Sequence, residues 1–228
     1  MQRFFIQKNL EGRETLMLPD DIRRQVKMVL RLKAGERVAL FDGSGFDFIY
    51  EIETASSGAL RLLEKVINRR EPKIKILLYQ SLLKKDNFEW VLEKCTEIGV
   101  TEFHPILSAR SIKKDFKRER AESVVREAAE QAGRAIVPRI EKIVPFRVAL
   151  ENARSSRVAA VFADIGAEVH VSGILKYQSM ALFVGPEGGW TPEEAAYAKN
   201  FGLRAVSLGK LTLRAETAAL VGSAFLLS

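Results

Sequence analysis

Cysteine and histidine are nearly missing from this 228-residue chain, which has one Cys and two His. A single Cys cannot close an internal disulfide, and one Cys with two His is too few for a zinc site built from those ligands. No uninterrupted apolar run approaches the ~20 residues that span a bilayer. Met1 to Leu10 includes Arg3 but no apolar stretch of the kind that forms a secretory signal. A cytoplasmic protein is therefore expected, without membrane or metal. What is present suffices for a core: 47% of residues are hydrophobic and 29% charged, which rules out disorder, and the length allows one or two domains. Thirty-six Lys and Arg against 29 Asp and Glu leave a net charge of +7, which permits a nucleic-acid partner without requiring one.

The first seventy or so residues hold short apolar runs broken by turn residues, among them Arg37–Phe41 and Phe46–Ile52 on either side of Asp42-Gly43-Ser44-Gly45. This pattern predicts a hairpin within a small, mostly β domain. One helix is expected inside it, from Pro19 to Arg31, with Ile22, Val26, Val29 and Leu30 on its apolar face and Arg23, Arg24, Lys27 and Arg31 largely off it. A domain boundary is expected at Asn68-Arg69-Arg70-Glu71-Pro72. Beyond it, strands near 74–80, 102–107, 158–163, 181–184 and 205–208 alternate with helices near 86–98, 116–134, 192–201 and 214–227. Such alternation predicts an α/β domain on a parallel sheet. Asp86 and Glu89 stand at capping-box spacing, and Gly99 stands where a helix C-cap belongs.

Two segments concentrate the chemistry. In Val184-Gly185-Pro186-Glu187-Gly188-Gly189-Trp190-Thr191-Pro192-Glu193-Glu194, a strand ends in a glycine-rich loop, and a helix follows with Thr191 as N-cap, Pro192 at its first position and Glu194 closing a capping box. Composition alone fits a tight strand-to-helix turn as well as a loop that lets a ligand approach the backbone. The spacing matches neither a dinucleotide fingerprint nor a P-loop. In Ser207-Leu208-Gly209-Lys210-Leu211-Thr212-Leu213-Arg214-Ala215-Glu216-Thr217-Ala218, a strand leads into a final helix that is apolar almost all round, which implies a core or subunit-interface position. Arg214 and Glu216 form either a buried ion pair or part of a binding loop.

Gly185-Pro186-Glu187-Gly188-Gly189, followed by Leu208-Gly209, Leu213-Arg214 and Glu216-Thr217-Ala218, resembles the SPOUT superfamily of knotted methyltransferases. Within it the chain is similar to the ribosomal RNA small subunit methyltransferase E family. Thr96-Glu97-Ile98-Gly99-Val100, Glu127 to Arg134 and Val29 to Lys33 fit the same family, so the resemblance covers nearly the whole chain. It implies an S-adenosylmethionine-dependent enzyme that methylates N3 of a uridine in 16S ribosomal RNA. The implied architecture is α/β: a PUA-like RNA-binding β-barrel over residues 1–72 and a trefoil-knotted methyltransferase domain over 73–228.

By resemblance, Val184, Gly185, Glu187, Gly188, Leu208, Gly209, Leu211, Leu213 and Ala218 are candidate cofactor-pocket residues, and Arg214 and Glu216 candidate catalytic ones. At Leu211 the family often carries an arginine. RNA contacts are expected from Arg23, Arg24, Lys27 and Arg31, and from Arg110, Lys113, Lys114, Lys117 and Arg118. Six basic residues stand against two acidic ones between Arg110 and Arg120. The partners implied are 16S ribosomal RNA or the small ribosomal subunit, and a second copy of the chain. A ribose 2′-O-methyltransferase on the same knot, and a non-catalytic RNA-binding or ribosome-assembly factor, are the alternatives. His104, His170 and Cys95 read as packing or surface residues.

Overall fold

The computed structural model describes residues 1–54, 56–174 and 177–228. Contacts divide the chain into two units, Met1–Glu71 with Ala129–Val137, and Pro72–Ala128 with Pro138–Ser228.

In the first unit β1 (Gln2–Phe5), β2 (Thr15–Met17), β3 (Arg37–Phe41), β4 (Phe46–Thr54) and β5 (Ala59–Ile67) form a sheet in the order β1-β3-β4-β5-β2. β3 and β4 are the expected antiparallel pair. Between them Gly43 and Gly45 adopt φ of +89° and +88°, values that side chains resist. The two-residue period of β4 sends Phe48, Tyr50 and Ile52 into a core shared with Phe4, Ile6 and Leu40.

The helix expected over 19–31 is shorter and changes type. α1 (Asp20–Arg24) passes into a π-helical turn at Gln25–Val29, where the Leu30 amide donates to Gln25 O at 2.9 Å, five residues back. The wider turn carries Val29 off the buried face. Val26 is 1% exposed and Val29 72%, so Val29 does not share the face of Ile22 and Val26 as its spacing predicts. Arg31, at φ +54°, follows the turn.

In the second unit the elements alternate as β6 (Lys75–Ser81), α2 (Asn87–Ile98), β7 (Glu102–Leu107), α3 (Arg118–Ala132), β8 (Arg139–Ile140), β9 (Val144–Pro145), α4 (Phe146–Ser155), β10 (Ala159–Ala163), β11 (Ser179–Val184), α5 (Pro192–Asn200), β12 (Arg204–Val206) and α6 (Ala215–Leu227). The sheet runs β12-β10-β11-β6-β7-β8, with β9 also paired to β7, and every pairing is parallel. From Ala129 onward α3 belongs by its contacts to the first unit, where the Glu130 carboxylate accepts the Phe5 amide at 2.8 Å.

On α2, Phe88, Val91, Leu92 and Cys95 are buried, as the helical period predicts. Gly99 ends it at φ +112°, and a Cβ there would lie 2.3 Å from the Pro72 ring. The expected capping box is not formed. Asp86 makes no side-chain cap bond, and Glu89 accepts instead from Arg120 at 3.2 Å. Sequence reading passed over α4, although Phe146, Ala149, Leu150 and Ala153 stand at helical spacing and all face the core. Because the sheet is parallel, the loops leaving β6, β7, β10 and β11 emerge from one edge, where ligands settle in open α/β folds.

Candidate active site

The loop after β11 is shaped by side chains of the protein itself. At its far end Thr191 Oγ1 accepts the Glu194 amide at 3.1 Å and Glu194 Oε2 accepts the Thr191 amide at 3.0 Å, the expected capping box. A Cβ at Gly185 would come within 3.2 Å of the Trp190 indole, and one at Gly188 within 3.3 Å of the Arg110 stem. These two glycines therefore make room for neighbouring side chains. Gly189 turns the chain at φ +67°. The Trp190 indole donates to Ala163 O at 3.0 Å and its ring centroid lies 4.9 Å from that of Phe146, so Trp190 pins the loop to the end of β10.

The segment joining β12 to α6 is tied more lightly. Ser207 Oγ accepts the Gly209 amide at 3.3 Å and donates to Gly209 O at 3.0 Å. Gly209 has φ +138°, Leu211 is 79% exposed, and Arg214 is extended where α6 begins.

Together the two segments bound a cavity of about 1050 Å³, large enough for a drug-sized ligand. Every residue expected there lines it: Val184, Gly185, Glu187, Gly188, Leu208, Gly209, Leu211, Leu213 and Ala218, with Arg214 and Glu216. Lys84 and Lys85 from the loop after β6, Asn87 at the start of α2, and Asp164 and Ile165 from the loop after β10 line it as well, and sequence reading missed them. The rule that ligands gather at the carboxyl ends of parallel strands would have pointed to both loops.

Glu216 Oε2 is buried without a hydrogen-bond partner among the described residues, and no ion pair there joins Glu216 to Arg214. An unpaired buried carboxylate oxygen costs stability, and Glu216 is one of the residues that line the cavity. Cys95 is remote from this chemistry: burial pushes its thiol up to about 12, which keeps it protonated and inert. His104 stacks on Tyr79 at 4.3 Å between centroids, and His170 meets Phe225 edge-on at 5.2 Å. Both histidines pack, as expected. No group of three or more metal-ligating side chains occurs among the described residues, and no helix there is long and apolar enough to cross a membrane.

The basic residues divide by what their side chains already hold. Arg110 donates to Gly188 O and Trp190 O, Lys114 to Ser111 O at 2.9 Å, and Arg118 to Glu122 and to Ile140 O. Lys113 reaches Lys85 O at 3.3 Å, and Lys117 is exposed. In the first unit Arg23 pairs with Asp20 at 2.7 Å, whereas Arg24, Lys27 and Met28 face solvent around the π turn.

The RNA methyltransferase domain family matches residues 69–227, and the RNA methyltransferase PUA domain family matches 26–65. The ribosomal RNA small subunit methyltransferase E of Bacillus subtilis is 30% identical over 96% of this chain and 93% of its own length. That of Synechocystis sp. is 34% identical over 87% of this chain and 68% of its own. A crystal structure of the Neisseria gonorrhoeae enzyme of that name, bound to S-adenosyl methionine, superposes with a TM-score of 0.91 at 34% identity, over 98% of this chain and 95% of the other.

The chain belongs to the ribosomal RNA small subunit methyltransferase E family.

A methyltransferase from Legionella pneumophila in complex with the cofactor SAM has the same architecture, with a TM-score of 0.87 at 26% identity, covering 98% of this chain and 96% of that one. The methyltransferase E fold accounts for both units, a PUA-like one and a SPOUT one with its carboxyl-terminal trefoil knot. Local topology rules do not predict a knot, so this part of the fold was legible only through the family motifs.

Proposed function

We propose that this protein is an S-adenosylmethionine-dependent methyltransferase acting on N3 of a uridine in 16S ribosomal RNA. The observation that carries the reading is the cavity that gathers both glycine-bearing segments, with Arg214 and Glu216 in its lining. The residues present fit the cofactor. Val184, Leu208, Leu213 and Ala218 offer apolar walls, the loop backbones offer amides and carbonyls that can read an adenine edge, and Asp164 and Glu216 bring negative charge toward a sulfonium. When bound, the cofactor supplies an electrophilic methyl group on positively charged sulfur.

The remaining work falls to the protein. It must hold N3 in line with that methyl, and such alignment contributes roughly 7 to 11 kcal/mol in favourable cases. Transfer also requires the N3 proton to leave, and Glu216, which lines the cavity, would be the group that accepts it. Arg214, at the start of α6, stabilises the negative charge that spreads onto the flanking carbonyl oxygens.

RNA would be gathered by the basic face of residues 1–72, read as a PUA-like RNA-binding domain with Arg23, Arg24, Lys27 and Arg31, and by Lys113, Lys114 and Lys117 of the methyltransferase domain over 73–228. Such contacts give affinity and salt dependence more than base selection. Arg118 belongs to the same basic run, although its guanidinium already holds protein acceptors. The homodimer reading is supported by α6, which buries Ala215, Ala219, Gly222 and Leu226 and leaves Leu220, Val221 and Phe225 partly exposed, an apolar face that a second copy would cover. Action on ribosomal RNA supports the reading of a cytoplasmic protein.

Nucleoside mass spectrometry after incubation with S-adenosylmethionine and small-subunit RNA, naked or assembled, tests the reading. N3-methyluridine is the expected product. A 2′-O-methylated nucleoside or no product would overturn it, in favour of a ribose methyltransferase or a non-catalytic assembly factor respectively.

A further inference from the structure

The loop after β11 is held from two sides, by Arg110, which the sequence places in a basic RNA-facing run, and by Glu187 of the loop itself. On one side the Arg110 guanidinium donates through Nη1 to Gly188 O at 2.7 Å and to Trp190 O at 3.2 Å, while its aliphatic stem fills the space a Cβ at Gly188 would need. The turn carrying Arg110 is itself fixed. Ser108 and Ser111 are buried and share a 2.9 Å hydroxyl bond, and the Ala109 amide donates to Glu194 Oε1 at 2.7 Å. On the other side Glu187 Oε1 accepts the Lys84 amide at 2.7 Å, which joins the loop after β6 to the loop after β11. Lys85 beside it stands at φ +52°, and its carbonyl receives Lys113 Nζ.

We infer that Arg110 and Glu187 are positioning residues, a two-sided buckle that fixes the backbone of the Gly185–Trp190 loop in the shape that receives the methyl donor. Their charged ends are engaged with protein groups: Arg110 with carbonyls of the loop, Glu187 with an amide across from it. Arg110 thus acts on cofactor binding although it lies in the basic run, and Glu187 acts through its acceptor oxygen. The inference rests on the reading of this cavity as the S-adenosylmethionine site. Orienting the loop in advance spares the cofactor the cost of ordering it, a saving that appears in affinity even without RNA or turnover.

Calorimetric titration of the full-length protein with S-adenosylmethionine alone, beside RNA binding measured across a salt series, separates the possibilities. Arg110→Ala and Glu187→Ala should each weaken cofactor binding by about tenfold, the loss of one to two hydrogen bonds. Glu187→Gln, whose amide oxygen can still accept from Lys84, should restore most of that affinity. The salt slope of RNA binding should stay unchanged in Arg110→Ala, whereas loss of a phosphate contact would reduce it by about 0.7. Thermal melts matching the wild type within a few degrees would show that the fold is retained, and Glu187→Gln keeps the test decisive if an alanine variant unfolds. Glu187→Gln binding as weakly as Glu187→Ala, or Arg110→Ala with normal cofactor affinity and a reduced salt slope, would overturn the inference alone. A wild-type protein that binds no S-adenosylmethionine would overturn both the reading of the site and the inference.

Discussion

The two glycine-bearing segments that line the cavity differ in how they are held. Gly185 to Thr191 is fixed by Trp190 to β10, by Arg110 to the turn after β7, by Glu187 to the loop after β6, and by a capping box to α5. Leu208 to Arg214 has one serine folded onto Gly209, an exposed Leu211, and then the start of α6. The first segment is a preset wall. The second, continued into α6, brings Arg214 and Glu216, the groups proposed to act in the transfer. The difference shows that a glycine-rich stretch need not be flexible: Gly185 and Gly188 are small because a tryptophan ring and an arginine stem occupy the space beside them.

Replacing residues on either side of this contrast should give effects of very different size. Glu216→Gln, on the reactive side, should lower the single-turnover methylation rate about 100-fold or more at saturating cofactor, the usual contribution of a positioned base. A rate within a few-fold of wild type would return Glu216 to a structural role. Trp190→Ala, on the preset side, removes the bond to Ala163 O and the packing on Phe146 and Gly185. It should cost about 3 kcal/mol in denaturant unfolding and weaken cofactor binding with it. An unfolding midpoint equal to wild type would mean that the loop is not pinned as described.

A pH series probes the sheet beneath the preset wall. His104 is pushed below its ordinary value of 6.5 by burial, which outweighs the raising influence of Glu102, and it stacks on Tyr79, which in turn stacks on Phe183 of β11. The unfolded chain therefore takes up a proton near pH 6.5 more readily than the folded protein does. Stability is complete above that pH and is lost progressively as the pH falls below it. Thermal melts from pH 7.5 to 5.5 should decline accordingly, and His104→Gln should flatten the decline. Leu211→Ala, on the lightly tied side, should change stability by less than about 0.5 kcal/mol, because an exposed side chain gives up little packing. A larger loss would place Leu211 in a contact that its 79% exposure does not suggest.

The site was legible to the extent that its residues are close in sequence. The order and spacing of Gly185 to Gly189, Leu208-Gly209, Leu213-Arg214 and Glu216 to Ala218 sufficed to gather residues that line one cavity. What they could not reveal is any partnership between loops that leave different strands. Arg110 and Gly188 are 78 positions apart, and Lys84 and Glu187 are 103 apart, so nothing local marks either pair. A charge run reads as a solvated or RNA-facing surface until the acceptors of Arg110 and Arg118 are known. The fold followed the same pattern. Alternating and helical periods located most strands and helices, while the π turn at Gln25–Val29 was invisible because it keeps a helical composition and differs only in its hydrogen-bond step. Asp86 and Glu89 had the spacing of a capping box, yet Arg120 from α3 claims Glu89.

Hydrogen exchange with and without saturating S-adenosylmethionine tests the contrast between the two segments most directly. In the free protein the Gly189 and Thr191 amides, bonded to Pro186 O and Glu194, should exchange slowly, and those of 210–213 quickly. Cofactor should slow exchange in both segments, with the larger ratio in 210–213, where less order exists beforehand. Exchange unchanged in both segments, or protection confined to residues outside the cavity, would contradict the account.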